Sequence, residues 1–427
     1  MQNKGTYQAP KGTEDLYGER AQAWELLQQV AARVFSRYGY RPLYTPIFEA
    51  TELFTRAVGK ATEVVNKEMY SFKDRKGRNL TLRPENTAGV VRAAIEQNLL
   101  GEGGSAKLYY AGPMFRYEKP QKGRQRQFYQ LGAEALGVTL PEADAEMILM
   151  LWEYLCELTL PQQHLQLLVN SMGCPQCRPL YRKELAKYLR AHAEELCADC
   201  QERIKTNPLR TFDCKRPSCC KVLAGAPKII DALCPDCAEH QKRVERLLND
   251  AGLIYRIDPT LVRGLDYYTR TVFEVQVVDG MGAQNALGGG GRYDGLFEEL
   301  GGKSTPSIGF ALGFERVMLA LEAANIRLPF EKGAQVFVAA TEDALREEAF
   351  ALVRELRDAG LPALCDLQGK SLKAQFKAAD RSGAALVVIV GPDELDDGYV
   401  RVRDMQSKEE RLIERSRAAA RLSAELR

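Results

Sequence analysis

The sequence of 427 residues has no run of eighteen apolar residues, which excludes a membrane-spanning helix. Its opening, MQNKGTYQAPKGTEDL, lacks the apolar stretch of a secretory signal, so a cytoplasmic setting is expected. Charge of one sign is scarce: 59 Lys and Arg against 57 Asp and Glu leave +2. That excludes a wholesale basic coat and leaves local basic patches as the means of meeting a polyanion. Histidine is rarer still, with His164, His192 and His240 the only three. None falls in a Ser–His–Asp or Cys–His pattern, and His192 and His240 read as solvated residues on helix surfaces. No internal repeat or low-complexity tract is evident. What remains, 45% hydrophobic and 27% charged, is an ordinary globular composition over about three domains' worth of chain.

Cysteine is abundant but uneven. Nine of the eleven lie between Cys174 and Cys237. Without a secretory signal, a disulfide framework gives way to metal binding or reduced thiols. Three CxxC pairs stand there: Cys174/Cys177, Cys197/Cys200 and Cys234/Cys237, with Cys214, Cys219 and Cys220 between. The stretch RPLYRKELAKYLRAHAEEL separates the first two pairs and reads as one helix of about 28 Å, too long for a single tetrahedral ion to join its ends. The preferred grouping for structural zinc is therefore Cys197, Cys200, Cys214 and Cys219 or Cys220, with Cys174, Cys177, Cys234 and Cys237 as a second site. Free, partly buried thiols are the alternative. Cys156 and Cys365 fall in apolar stretches and read as core thiols.

Four regions follow from the patterning. Region 1–171 opens on a polar stretch leading to a helix over 19–38 that stops at Gly39, then strands at 107–118 and 126–137. Region 172–257 is Cys-rich, charged and helical, and interrupts the strand pattern as an insertion. Region 258–329 returns to strands and glycine. Region 333–427 reads strand (334–340), helix (342–360), strand, helix (371–382), two strands and helix (407–425), an α/β module with a largely parallel sheet.

Three arginine-bearing patches share one theme, a polyphosphate. The first is Thr81–Leu82–Arg83–Pro84–Glu85–Asn86–Thr87, where Pro84 limits the backbone ahead of a helical run. The second is Phe115–Arg116–Tyr117–Glu118, followed by a basic loop with Lys119, Lys122, Arg124 and Arg126 and by the strand Gln127–Phe128–Tyr129–Gln130. A strand arginine beside a basic loop suits phosphate contact by the strand and RNA-backbone contact by the loop. The third is Gly309–Phe310–Ala311–Leu312–Gly313–Phe314–Glu315–Arg316, whose small residues permit close approach by a flat ligand. Each alone is more often a salt bridge, a solvated arginine or packing. Their joint order is more specific.

That order resembles motifs two and three of the class II aminoacyl-tRNA synthetases, and Arg41–Pro42–Leu43–Tyr44–Thr45–Pro46–Ile47–Phe48–Glu49 is similar to motif one, near a dimer interface. Two further segments, LVRGLDYYTRTVFE (261–274) and GGGGRYDGL (288–296), resemble the signature segments of the histidyl-tRNA synthetase family. The resemblance implies an α+β catalytic domain, an antiparallel sheet with flanking helices, formed by 1–171 and 258–329 around the helical insertion 172–257. Residues 333–427 would be an α/β anticodon-binding domain. It further implies a homodimer that joins L-histidine to its tRNA, with ATP as substrate and Mg²⁺ on the phosphates.

By the same resemblance, Arg116 would hold the α-phosphate with Glu118 nearby in the ATP site. Arg316 would clamp the tail of a bent ATP, and Arg263 would act electrostatically beside the α-phosphate, so that Arg116 and Arg263 are the catalytic pair. Glu85, Thr87, Gln130, Glu134, Arg263, Tyr267, Tyr268 and Tyr293 would line the histidine pocket. Glu85, Thr87 and Gln130 would face the amino end, while Glu134 and Tyr268 read the imidazole. A catalytically silent regulatory subunit of ATP phosphoribosyltransferase is the alternative on the same fold. Such proteins typically lack the anticodon domain and lose activation residues, whereas Arg116, Arg263, Arg316 and the tail are all here. An RNA-binding sensor of synthetase ancestry ranks last, because it leaves the adenylate residues without a purpose.

Overall fold

The computed structural model describes residues 7–59, 62, 64–265, 267–278, 280–281, 285–329 and 335–426. The chain divides into two compact units, Met1–Leu328 and Pro329–Arg427.

The first unit opens with α1, Glu19–Arg37, whose buried Ala23, Trp24, Leu27, Val30, Ala31, Val34 and Phe35 form one helical stripe. It ends as read, at Gly39, whose φ of +82° suits glycine. Short strands β1 (Arg41–Pro42) and β2 (Phe48–Ala50), helix α2 (Thr51–Ala57), and strands β3 (Ser71–Lys73) and β4 (Asn79–Leu82) precede α3, Thr87–Glu96. The long strands β5 (Ala106–Phe115) and β6 (Gln127–Leu136) then pair antiparallel along their whole length, Ala106 opposite Leu136 and Phe115 opposite Gln127. Helix α4 (Pro141–Glu157) and strand β7 (Leu165–Ser171) lead into the Cys-rich region.

That region is helical: α5 (Cys177–Ala191), α6 (Ala198–Thr206), α7 (Pro217–Ala224) and α8 (Pro235–Asp250). The expected continuous helix over 178–196 stops at Ala191. His192 leaves helical geometry, pairs its Nδ1 with the Tyr188 carbonyl at 2.9 Å, stacks on the Tyr188 ring, and the chain turns to bury Leu196. His240 is a second correction. It is no solvated surface residue: only 6% exposed, it meets Asp144 of α4 at 3.0 Å. Helical spacing reveals which face a residue occupies but not what packs on that face.

After β8 (Tyr255–Ile257) come β9 (Thr269–Val277), β10 (Ala286–Arg292), α9 (Leu296–Glu299), β11 (Ser307–Gly313) and α10 (Phe314–Ala323). The main sheet runs β1-β5-β6-β11-β10-β9-β7-β8, antiparallel except for the end pairs β1/β5 and β7/β8. Its central strands carry glycine because neighbours press against them. A Cβ at Gly290 would collide with the Gly309 backbone and lie 2.6 Å from the Phe310 Cα.

The second unit comprises β12 (Val336–Ala340), α11 (Arg346–Asp358), β13 (Ala363–Cys365), α12 (Leu372–Arg381), β14 (Leu386–Val390), α13 (Pro392–Asp396), β15 (Tyr399–Asp404), β16 (Glu410–Glu414) and α14 (Ala418–Leu426). The expected α/β module is present, but the sheet is mixed: β13-β12-β14 is parallel, and β15 and β16 add antiparallel. The helix read over 407–425 is really a strand followed by a shorter helix. Asp404 accepts the amides of Gln406 and Ser407 at 2.8 and 2.7 Å, which reverses the chain into a hairpin with Lys408 at φ +65°.

Candidate active site

Strand β4 ends at Leu82, and the turn Arg83–Asn86 delivers the N-terminus of α3 to the face of β6. Glu85 there is 4% exposed and accepts the amides of Thr87 (2.7 Å) and Ala88 (3.1 Å). Burial raises its pKa, while those amides and the Arg116 charge pull it back. Thr87 donates its hydroxyl to Glu134 at 2.7 Å, and Tyr293, just past β10, donates to the other Glu134 oxygen at 2.6 Å. A carboxylate held on both oxygens at the bottom of a cavity is fixed in orientation. Burial pushes Glu134 up to about 8 despite the two hydroxyl donors. Gly309 of β11 stands opposite Glu134 in the register, and any Cβ there would collide with the carboxylate. Tyr267 packs between Tyr268 (4.7 Å between ring centres) and Tyr293 (5.7 Å).

The arginines come from three other elements. Arg116, just past β5, donates Nε to the Pro84 carbonyl at 2.9 Å and lies over the Phe128 ring at 5.1 Å. Arg316, in the first turn of α10, donates to the Ala286 carbonyl at 2.7 Å. Burial and the neighbouring charges of Arg124 and Arg116 lower the Arg316 pKa, against the pull of Glu118 and Glu274. The guanidinium groups of Arg116, Arg124 and Arg316 are therefore near neighbours, an arrangement that suits an anion. Arg263 pairs with Glu274 of β9.

One cavity is lined by Glu85, Thr87, Arg116, Glu118, Gln130 and Glu134 together with Arg263, Tyr267, Tyr268, Tyr293 and Arg316. Every residue read as catalytic, ATP-binding or histidine-binding thus meets in one place. Gln130 Oε1 and Arg263 Nε are buried there without a hydrogen-bond partner.

The basic loop divides. Lys119 and Lys122 are exposed, and Arg126 stacks on Tyr117 at 4.1 Å. Arg124 also reaches the cavity and donates to Glu118 at 2.9 Å. Arg83 proves structural rather than phosphate-facing. Nearly buried, it donates to the carbonyls of Pro113 (2.9 Å) and Thr45 (3.1 Å), knitting the motif-one segment to β5. Its side chain points away from the cavity because carbonyls, unlike a dissociable anion, are always present to claim it.

Sequence reasoning missed Tyr110, Phe128, Glu274 and Glu315 as cavity residues. Glu315 accepts the Tyr129 amide at 2.9 Å and is pushed up to about 7 by burial. Both glutamates lie inside the motif segments 261–274 and 309–316; a carboxylate beside an arginine that must stay oriented was the signal available.

The cysteines gather in two quartets, Cys174/Cys177/Cys234/Cys237 and Cys197/Cys200/Cys214/Cys219. Cys220 is exposed, outside both.

The model of the histidyl-tRNA synthetase family matches residues 12–317, most of the chain. The chain belongs to that family. An anticodon-binding domain model matches residues 335–425. Among curated histidyl-tRNA synthetases, named histidine–tRNA ligases, that of Desulfitobacterium hafniense is 50% identical over 403 residues, 94% of each chain. That of Moorella thermoacetica is also 50% identical, over 94% of this chain and 95% of its own. The apo S. aureus histidyl-tRNA synthetase structure matches with TM-score 0.83 and 37% identity, over 98% of this chain and all of that one. A Bacillus halodurans structure described as an ATP phosphoribosyltransferase regulatory subunit/histidyl-tRNA synthetase matches at TM-score 0.64 and 21% identity, covering 91% of this chain and 99% of its own, and shares the fold.

Proposed function

We infer that the chain is a histidine–tRNA ligase: it activates L-histidine with ATP, releasing pyrophosphate, and passes the histidyl group to the 3′ end of its tRNA. The observation that carries the reading is the convergence of Arg116, Arg263 and Arg316 in the same cavity as the Glu134–Thr87–Tyr293 network.

Activation is an in-line displacement in which the histidine carboxylate attacks the α-phosphorus. The nucleophile is already ionised, so no general base is needed. The protein must hold two anions together and stabilise the charge that develops on the phosphoryl oxygens. Permanently charged, planar guanidinium groups suit that task. Arg116 and Arg263 flank the α-phosphate in this account, and Arg316, with the repulsion from Arg116 and Arg124 relieved, takes the phosphate tail. Glu118 and Glu274 would supply the oxygen donors that Mg²⁺ prefers, and the ion would shield the β- and γ-phosphates. In the second step the terminal ribose hydroxyl of the tRNA attacks the activated carbonyl and AMP leaves.

Imidazole offers one donor and one acceptor when neutral. Glu134, oriented by Thr87 and Tyr293, accepts the ring N–H, and Tyr268 serves the other nitrogen. Gln130 Oε1, buried and unpartnered, awaits a donor such as the substrate ammonium, with Glu85 beside it. A side chain lacking either ring nitrogen leaves these buried groups unpaired, which supports discrimination of about 10⁴–10⁵ without editing.

Exposed Lys119 and Lys122 suit the tRNA backbone, whereas Arg124 and Arg126 are engaged by Glu118 and Tyr117, and the tail module takes the anticodon. A homodimer through motif one fits the exposed Tyr44, Ile47, Phe48 and Phe72, an apolar group that needs a cover. Among the described residues no helix is long and apolar enough to cross a membrane, and we place the enzyme in the cytoplasm. Pyrophosphate exchange run with each of the twenty amino acids tests the assignment. Histidine alone should support exchange; comparable exchange with any other amino acid, or none with histidine, overturns it.

A further inference from the structure

We propose that the two cysteine quartets of the helical insertion each bind one Zn²⁺, and that the two ions brace the loop carrying Arg263, Tyr267 and Tyr268. All eleven cysteines are free of disulfides. In each quartet the four sulfurs lie within 4.8 Å of one another. Cys174 Sγ is 3.7 Å from Cys177 Sγ and 3.8 Å from Cys234 Sγ, and Cys197 Sγ is 3.9 Å from Cys214 Sγ. A tetrahedron with Zn–S bonds of about 2.3 Å has edges of about 3.8 Å, so the spacing is that of thiolates around one ion. It is about twice the length of a disulfide bond, and it leaves no room for a cluster of several metal atoms between the sulfurs.

The backbone is arranged for the same charge. Cys197 and Cys234 occupy the N-cap positions of α6 and α8, and Cys200 and Cys237 lie in the first turns. Thiolates there face the positive ends of two helices. Amide donors reach the sulfurs as well: Cys234 N to Cys177 Sγ at 3.1 Å, and Cys197 N to Cys219 Sγ at 3.2 Å. The structure also decides between Cys219 and Cys220. Cys219 is fully buried within its quartet, whereas exposed Cys220 donates to the Cys214 carbonyl at 3.3 Å.

Position gives the ions a task. The first quartet clips the residues following β7 to the start of α8. Next to it, Met172 donates to the Arg270 carbonyl at 2.6 Å and Arg270 to the Gly173 carbonyl at 2.9 Å, at the start of β9 just beyond Tyr268. In the second quartet Cys214 follows directly on the 3₁₀ turn Pro208–Asp213. Arg210 of that turn donates to the Gly264 carbonyl, beside Arg263. Each ion therefore anchors one end of the segment that the active site needs held still, a task outside the chemistry itself.

The test is metal analysis of the full chain purified without chelators. Two zinc per chain are expected. Cys174→Ser with Cys177→Ser, and separately Cys197→Ser with Cys200→Ser, should each remove one, while Cys220→Ser keeps both. Less than a tenth of an equivalent in the wild type, or a single equivalent, overturns the two-site assignment, as does loss of zinc in Cys220→Ser. Where a double variant fails to fold, zinc-edge X-ray absorption on the intact chain decides. Four sulfurs at about 2.3 Å support the proposal, and nitrogen or oxygen in the first shell overturns it. Bracing is read from Arg210→Ala, which should retain both ions yet show increased proteolysis or hydrogen exchange in 261–268. Protection equal to wild type there contradicts the brace.

Discussion

Glu134 is the residue on which specificity turns, and its titration makes it testable. Its place on a strand was legible from the segment RQFYQLGAEALG, and its place in the pocket from the resemblance, but its neighbour Gly309 was not. Its two hydroxyl donors were not, because Thr87 and Tyr293 lie far from it in sequence and only the sheet brings them together. The native state holds Glu134 at about 8 against an ordinary 4.5, so between those values the folded chain keeps a proton that the unfolded chain has lost. Stability from this group is therefore full below pH 4.5 and lost as pH rises through about 8. Melting temperature should fall between pH 6 and 8.5, and Glu134→Gln should flatten the fall, leaving the smaller slope due to Glu315. An unchanged slope would rule out the buried proton. The same variant cannot supply the ionised carboxylate that accepts the ring N–H once histidine binds, a charge-assisted hydrogen bond worth about 1.5–3 kcal/mol, so the KM for histidine should rise about tenfold to a hundredfold with that for ATP little changed.

Between elements, the contacts least visible in the sequence carry large consequences. Arg292, the last residue of β10, is fully buried and forms a two-pronged pair with Asp144 of α4 at 3.1 and 2.7 Å. His240 of α8 completes the group, so the insertion is fastened to the catalytic sheet by a buried charged network. Burial by itself would raise the Asp144 pKa, but the hydrogen bond from His240 and the charge of Arg292 hold it below its usual range. Helical periodicity could not show this, since an acidic residue in the first turn of a helix reads as a solvated cap. Removing one member leaves buried charge unpaired. Asp144→Ala should lower the unfolding free energy by about 3–5 kcal/mol in a denaturant melt, and a loss under 1 kcal/mol would contradict the network's role. The GGGG run of β10 was legible as part of a family-like segment, without the reason for its glycines. Its cause, the close approach of β9 and β11, belongs to the sheet.

For the molecule as a whole, the order of motifs along the chain was enough to anticipate the two kinds of domain and most cavity residues. Those residues are spaced by function, and the sheet must gather them. Less legible were features in which one element answers another: the antiparallel edge of the second unit's sheet, the diversion of Arg83 to carbonyls, and the burial of His240. Local pattern records which residues are apolar and which turns are tight, whereas pairing partners depend on long-range closure. The account rests on guanidinium groups from separate elements acting on one nucleotide, and pyrophosphate exchange by Arg263→Ala addresses it most directly. That variant should still bind histidine while its exchange rate falls about 10²–10³-fold. Exchange at the wild-type rate would contradict the account.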